Sequence, residues 1–288
     1  MSHHREFMDL APEPPPELWE VLGHFGLAAG NANVIMQLAR LPVGHGVAHS
    51  KVDSGRVDKH PIKRLRTTAS YLAVALLGTE EERRAMRNEV NRAHTSVHSG
   101  PSAPVQYNAF DQELQLWVAA CLYWGTADLF RLMDIDLSPE RSEALYQYCK
   151  RLGTTLQVPD DLWPADLEAF NEYWEDGLRQ TRMDDVTRSY LQGIAQFEFL
   201  TMPLGRFGAP LRPLLRPYGR FVTLGYLPER FRRELGLPWS RRQQRLFDRY
   251  IGLYAAITRR MPPPLRLFPF NLYLRDVRGR IRRGQQIV

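Results

Sequence analysis

Apolar residues recur at helical spacing through most of this chain, and alternating strand patterns are scarce. Thr79 followed three residues later by Glu82 is a capping box, and Met86, Val90, Ala93 and Val97 then recur as one apolar stripe, so the spacing predicts a helix starting near residue 80. Just upstream, Pro61 suits a first helical position, Leu65, Ala69, Leu72 and Leu76 repeat the spacing, and Gly78 suits the end. Two consecutive helices joined by a short turn are expected. A third, from Asp111 to about Phe130, is apolar nearly all round through Leu116, Trp117, Cys121, Leu122 and Trp124, the pattern of a helix surrounded by others. Ser138 with Pro139 opens another that Gly153 can close, and Trp163-Pro164 opens one through Phe170, Tyr173 and Trp174. From Met202 onward, prolines at 203, 210, 213, 217, 228, 238 and 262–264 restrict helices to short ones or ones that begin after a proline, such as Ser240 to Arg259. The pattern predicts an all-α fold in which a flexible segment, 1–17, precedes a single multi-helix domain over 18–262, with a basic tail at 263–288.

Composition supports a packed domain, because 44% hydrophobic and 24% charged residues are near globular averages and 288 residues can bury a sizeable core. The two cysteines, Cys121 and Cys149, lie in apolar or helical segments without CxxC spacing. Neither a disulfide framework nor a cysteine-rich zinc site is indicated, which points to a reduced, cytoplasmic setting. The opening MSHHREFMDLAPEPPPE carries charge and prolines where a signal peptide needs an unbroken apolar run, so export is not expected. The uncharged stretch Val21 to Ala39 holds Gly23, Gly26, Gly30, His24, Asn31, Asn33 and Gln37, polar groups that would lack partners in lipid. It reads as a buried helix or helix pair.

Charge divides the chain unevenly: residues 201–288 carry 19 Lys+Arg against 4 Asp+Glu, whereas residues 1–200 carry 19 against 28. A basic stretch with interleaved aromatics, such as Arg212, Arg216, Tyr218, Arg220 and Phe221, can meet an anionic surface. With no recognition motif beside it, the plainer reading is a solvated face, or arginines paired with the acidic part. Nucleic acid is not expected as a partner, and peripheral membrane contact stays open.

Candidate chemistry gathers on the two consecutive helices. Arg64 and Thr68, four residues apart, lie one above the other on the flank of the apolar stripe. On the next helix His94 lies roughly 70° from the centre of the stripe and His98 roughly 110°, at about 100° per residue, so His94 is the better-placed imidazole. Imidazole, guanidinium and hydroxyl bordering one apolar core suit a haem: histidine ligates the iron and arginine neutralises a buried propionate. The same residues also suit ordinary structural roles, a hydrogen-bonded flank histidine and a surface salt bridge. Trp117, Tyr123, Trp124 and Tyr71 suit a flat cofactor and a plain core equally.

At these positions the chain resembles a known family, the oxygenases related to latex-clearing protein and to an endoplasmic-reticulum-bound oxygenase of mycophenolic acid synthesis. The matches run in order: Val47-Ala48-His49-Ser50, Pro61 with Arg64-x-x-x-Thr68, Asn91-Arg92-Ala93-His94-Thr95-Ser96-Val97, Tyr107-Asn108-Ala109-Phe110-Asp111, and Glu113-Leu114-Gln115-Leu116-Trp117-Val118. They continue more loosely through Leu162-Trp163-Pro164-Ala165-Asp166-Leu167. The resemblance implies an all-α fold with a globin-like core and a haem b whose iron is bound by His94. By the same likeness Arg64 helps hold the haem, and Thr68 lines the side where dioxygen meets an apolar, isoprenoid or lipid-like substrate. The chain departs from the rubber-cleaving members at Thr67, where they place a lysine, and has Gln112 and Ala119 where many members have proline and histidine. Three functions therefore stay open: a haem-dependent oxygenase, a non-catalytic haem or apolar-ligand binder of the same fold, and a helical module docking its basic third on membranes or nucleic acid.

Overall fold

The structure, a computed structural model, describes residues 13–49, 60–201 and 208–287. Residues 1–12 of the expected flexible segment, Ser50 of the Val47–Ser50 match, and Pro203 lie outside them. Among the described residues there are helices and no strands, only one isolated bridge between His98 and Asn108. The fold is a single all-α domain.

Helices α1 (Leu18–Val21), α2 (His24–Ala28) and α3 (Gly30–Leu38) occupy the uncharged stretch, broken at Gly23, whose φ of 91° is left-handed. After α4 (Leu41–Ala48), α5 (Pro61–Leu77) begins on its proline and ends where the Gly78 N–H bonds the Val74 carbonyl at 2.8 Å. Helix α6 (Glu80–His94) opens on the reciprocal Thr79/Glu82 box. It ends at His94, short of Val97, because the chain turns there into the His98–Asn108 bridge. Asp111 caps α7 (Gln112–Leu132), which carries buried residues around its whole circumference and packs against α1, α2, α3, α9 and α15.

Helices α8 (Pro139–Cys149) and α9 (Arg151–Thr154) follow. Helix α10 (Leu167–Arg179) starts later than the Trp163-Pro164 signal suggests, since the Asp166 carboxylate accepts the Ala169 N–H at 2.8 Å and so sets the cap. The remaining helices are α11 (Asp185–Ala195), α12 (Glu198–Thr201), α13 (Arg212–Tyr226), α14 (Glu229–Leu235), α15 (Arg241–Arg260), α16 (Pro263–Arg266) and α17 (Phe270–Arg282). Helix α13 runs through Pro217, against the expectation of short helices. That proline sits on the exposed first half of the helix, where water can replace the lost backbone bond.

The stretch 263–288, set apart in the sequence as a tail, packs its α17 along α5. Leu274 and Val277 are buried there, and Arg278 donates to the Glu82 carboxylate at 2.8 Å. No helix among the described residues is long and apolar enough to cross a membrane.

A methyl group on Gly23 would overlap the backbone of Arg266, at a φ that L residues rarely adopt. Gly23→Ala is expected to cost about 2–4 kcal/mol in chemical denaturation. Gly30→Ala, with nothing within 4 Å of the new carbon, should leave stability unchanged or slightly raised.

Candidate functional site

Between α4, α5, α6, the 97–109 turn and the first half of α7 lies a cavity of about 250 Å³. Helix α5 supplies its floor through Arg64, Thr67, Thr68, Tyr71 and Leu72, positions that fall on one helical face. Val43 and Val47 of α4 and Leu114, Val118 and Leu122 of α7 make apolar walls, and His94 stands at the end of α6. The three residues singled out in the sequence, Arg64, Thr68 and His94, thus border one space.

The imidazole of His94 is neutral: burial first, then the positive charge of Arg64, push its pKa down to about 4, with Gln157 only partly opposing them. Its Nδ1 is buried without a hydrogen-bond partner, and the Phe110 ring meets it edge-on at 6.2 Å between centroids. Arg64 keeps some exposed area, yet burial pushes its guanidinium down from the ordinary arginine value, opposed by Tyr190. No carboxylate among the described residues pairs with it. The Thr67 hydroxyl is likewise buried without a partner. A neutral nitrogen, a cation with no carboxylate partner among the described residues and the free Thr67 hydroxyl around apolar walls can take an apolar ligand that carries an anionic group and an electrophilic centre.

His98 points elsewhere: it is exposed, does not line the cavity, and its Nδ1 lies 3.4 Å from the Ser99 carbonyl. His49 is exposed and also off the cavity. Of the four aromatics weighed in the sequence, Tyr71 lines the space, its hydroxyl donating to the Leu152 carbonyl at 2.5 Å. Trp117, Tyr123 and Trp124 belong to the core, Trp117 and Trp124 stacking on the two sides of Trp174 at 5.3 Å each.

Sequence reading missed Gln157 and met Tyr107 only within the family match, with no role in the site. Gln115 donates to the Ala109 carbonyl at 2.6 Å and accepts the Gln157 N–H at 2.7 Å, so one side chain of α7 ties the turn and the 157 segment beside His94. Tyr107 closes the space against Gly46, where a Cβ would come within 3.3 Å of its ring. Nothing in local spacing signals either residue, because both arrive from irregular chain. Behind the cavity His45 is held at 2.6 Å by Asp184, which burial would raise but hydrogen bonds from Thr187 and His45 hold down to about 2. This pair braces α4 against α11.

The family described as "ER-bound oxygenase mpaB/B'/Rubber oxygenase, catalytic domain" matches residues 19–256. An uncharacterized protein of Mycobacterium tuberculosis and one of Mycobacterium bovis are each 47% identical over 257 residues, which is 89% of this chain and 98% of each relative. No solved structure matches.

The burial of His94 makes a stability prediction for the chain with nothing bound to the imidazole. Its folded value near 4 lies below the ordinary 6.5, so the unfolded chain takes up the proton first and stability falls as pH drops through that interval. The loss from this group should be roughly 3 kcal/mol between those two pH values. His94→Gln, which cannot titrate there, should lose correspondingly less in denaturant melts; an equal loss would show that His94 is not held neutral.

Proposed function

This chain belongs to the family of ER-bound mpaB/B'-type oxygenases and rubber oxygenases, and on that premise we propose that it is a haem b-dependent oxygenase whose iron is held by His94 and which acts with dioxygen on an apolar, isoprenoid or lipid-like substrate. The observation that carries the reading is a neutral imidazole, its Nδ1 without a partner, bordering the same apolar cavity as a guanidinium that meets no carboxylate among the described residues. Both features fit the group. A neutral histidine has a lone pair to give to a metal, and a desolvated arginine is stabilised by a propionate. Among the described residues no three His, Cys, Asp or Glu side chains gather to hold a metal ion, so a single imidazole suits an iron whose other ligands come from a macrocycle.

When bound, haem would supply the electron-transfer chemistry that activates dioxygen. The chain's own residues do the rest. Arg64 would anchor a carboxylate, and burial, the larger cause, together with the Arg64 charge keeps His94 unprotonated. The Thr67 and Thr68 hydroxyls offer hydrogen bonds to a polar atom inside the cavity, where the Thr67 oxygen has no other partner. Val43, Val47, Leu114, Val118 and Leu122 exclude water and favour an apolar substrate. A second reading, a haem or apolar-ligand carrier without turnover, is favoured by Thr67, which leaves the cavity without the lysine of the rubber-cleaving members.

Protein made with haem precursor should show a Soret band that moves on reduction with dithionite and again with carbon monoxide. His94→Ala should abolish it, His98→Ala should retain it, and Arg64→Leu should weaken haem retention about tenfold or more. A colourless protein that fails to take up added haemin overturns the reading. Oxygen-dependent cleavage products from apolar alkenes, sought by mass spectrometry, separate enzyme from carrier.

A further inference from the structure

Helix α15 has two sharply different sides. Phe247, Ile251, Ala255 and Thr258 are buried against the domain. Opposite them Arg242, Leu246, Arg249, Leu253, Ile257 and Arg260 fall within an arc of roughly 80° at about 100° per residue, and all six are exposed. The aliphatic side chains are 57%, 64% and 46% exposed at Leu246, Leu253 and Ile257. No acidic residue lies on that arc, and among the described residues no carboxylate pairs with Arg242, Arg249 or Arg260. The nearest acid on the helix, Asp248, lies off the arc and accepts from Gln244 at 2.8 Å.

Neighbouring elements extend the same surface. The Tyr218 hydroxyl of α13 is 3.2 Å from that of Tyr250, at the edge of the arc, and Leu214, one turn before Tyr218, is 72% exposed. At the N-terminal end of α15 an open pocket of about 690 Å³ is walled by Arg232, Arg233, Arg241 and Trp239. Among the described residues, Arg233 alone of these three arginines meets a carboxylate within 4 Å, Glu229 at 3.8 Å, which also lines the pocket. These six arginines are part of the excess of 19 Lys+Arg over 4 Asp+Glu in residues 201–288.

An arc that mixes long aliphatic side chains with unpaired arginines meets two demands at once. Leucine and isoleucine gain by leaving water for the boundary of an acyl layer, while guanidinium groups reach back to phosphates on long stems. A nucleic acid would satisfy the arginines but leave Leu246, Leu253 and Ile257 without an apolar partner, and a neutral bilayer would satisfy the aliphatics alone. We propose that the outer face of α15 docks this protein on the surface of an anionic phospholipid bilayer, the arginine-walled pocket adding to the same positive field. The surface lies apart from His94, and neither it nor its test depends on haem.

The test is co-sedimentation of the full chain with phosphatidylcholine vesicles and with vesicles about one third phosphatidylglycerol. Binding is expected to the anionic vesicles only, and to fall steeply at high salt, ~0.5 M. Arg242→Glu with Arg249→Glu should lower the partition coefficient about tenfold or more. Leu253→Ser with Ile257→Ser should leave weaker binding that salt abolishes more readily. All four positions are exposed, so circular dichroism of the variants should match the parent. No binding to anionic vesicles, equal binding to both vesicle types, or parent-like binding by both double variants overturns the proposal. So does a preference for duplex DNA over anionic vesicles when both are offered.

Discussion

Helix α7 has no side that it can give to water: Leu116, Trp117, Ala119, Ala120, Cys121, Tyr123, Leu129 and Phe130 bury around its whole circumference. A helix built this way is stable only when other helices enclose it, since each large side chain returned to solvent would forfeit about 1.5–3 kcal/mol. The arrangement of the chain follows from that requirement. Helices α1 to α3 cover one side, where Asn33 donates to the Cys121 carbonyl at 2.7 Å and Trp117 to the Gln37 carbonyl at 3.2 Å. Helix α10 covers another, sliding Trp174 between Trp117 and Trp124 with interplanar angles of 14° and 10°. Helix α15 and α9 close more of the shell.

The cavity is where this enclosure is incomplete, and it is also where polar groups lack partners. Leaving a buried donor or acceptor unmet costs about 1–3 kcal/mol, and the Nδ1 of His94 and the Thr67 hydroxyl both bear that cost at one space, with the desolvated Arg64 beside them. A ligand that met these groups would recover what the free chain gives up. The supports are rigid: the Thr79 cap and Gly78 stop fix the ends of α5 and α6, and Gln115 ties the turn that follows His94.

Charge is divided by the same packing. Acidic residues of the first part hold the C-terminal helices in place, Glu82 serving both the Thr79 backbone and Arg278, and Glu20 taking Arg266. Arg66 in turn lies 3.9 Å from Asp276 of α17. These pairs use a few arginines and leave the row on α15 facing outward. The expectations of paired arginines and of a free basic face were therefore both partly met, on different helices.

Element identity was written locally. The Thr79/Glu82 box, the Pro61 start, the Asp111 start of an all-round apolar helix and the Ser240 start of α15 depend only on residues within a turn or two of each other, and the spacing of Arg64, Thr68 and His94 on their helices was legible for the same reason. What local spacing could not carry was everything that depends on two distant segments meeting. Helix α6 stops at His94 because the bridge from His98 to Asn108 takes the chain out of its last turn, and the stretch set apart as a tail lies on α5 because its buried face finds a partner some two hundred positions away. The neutral state of His94 and the placing of Gln157 and Tyr107 beside it belong to that second class. Protonation is set by desolvation, and desolvation exists only once the helices have closed around the imidazole.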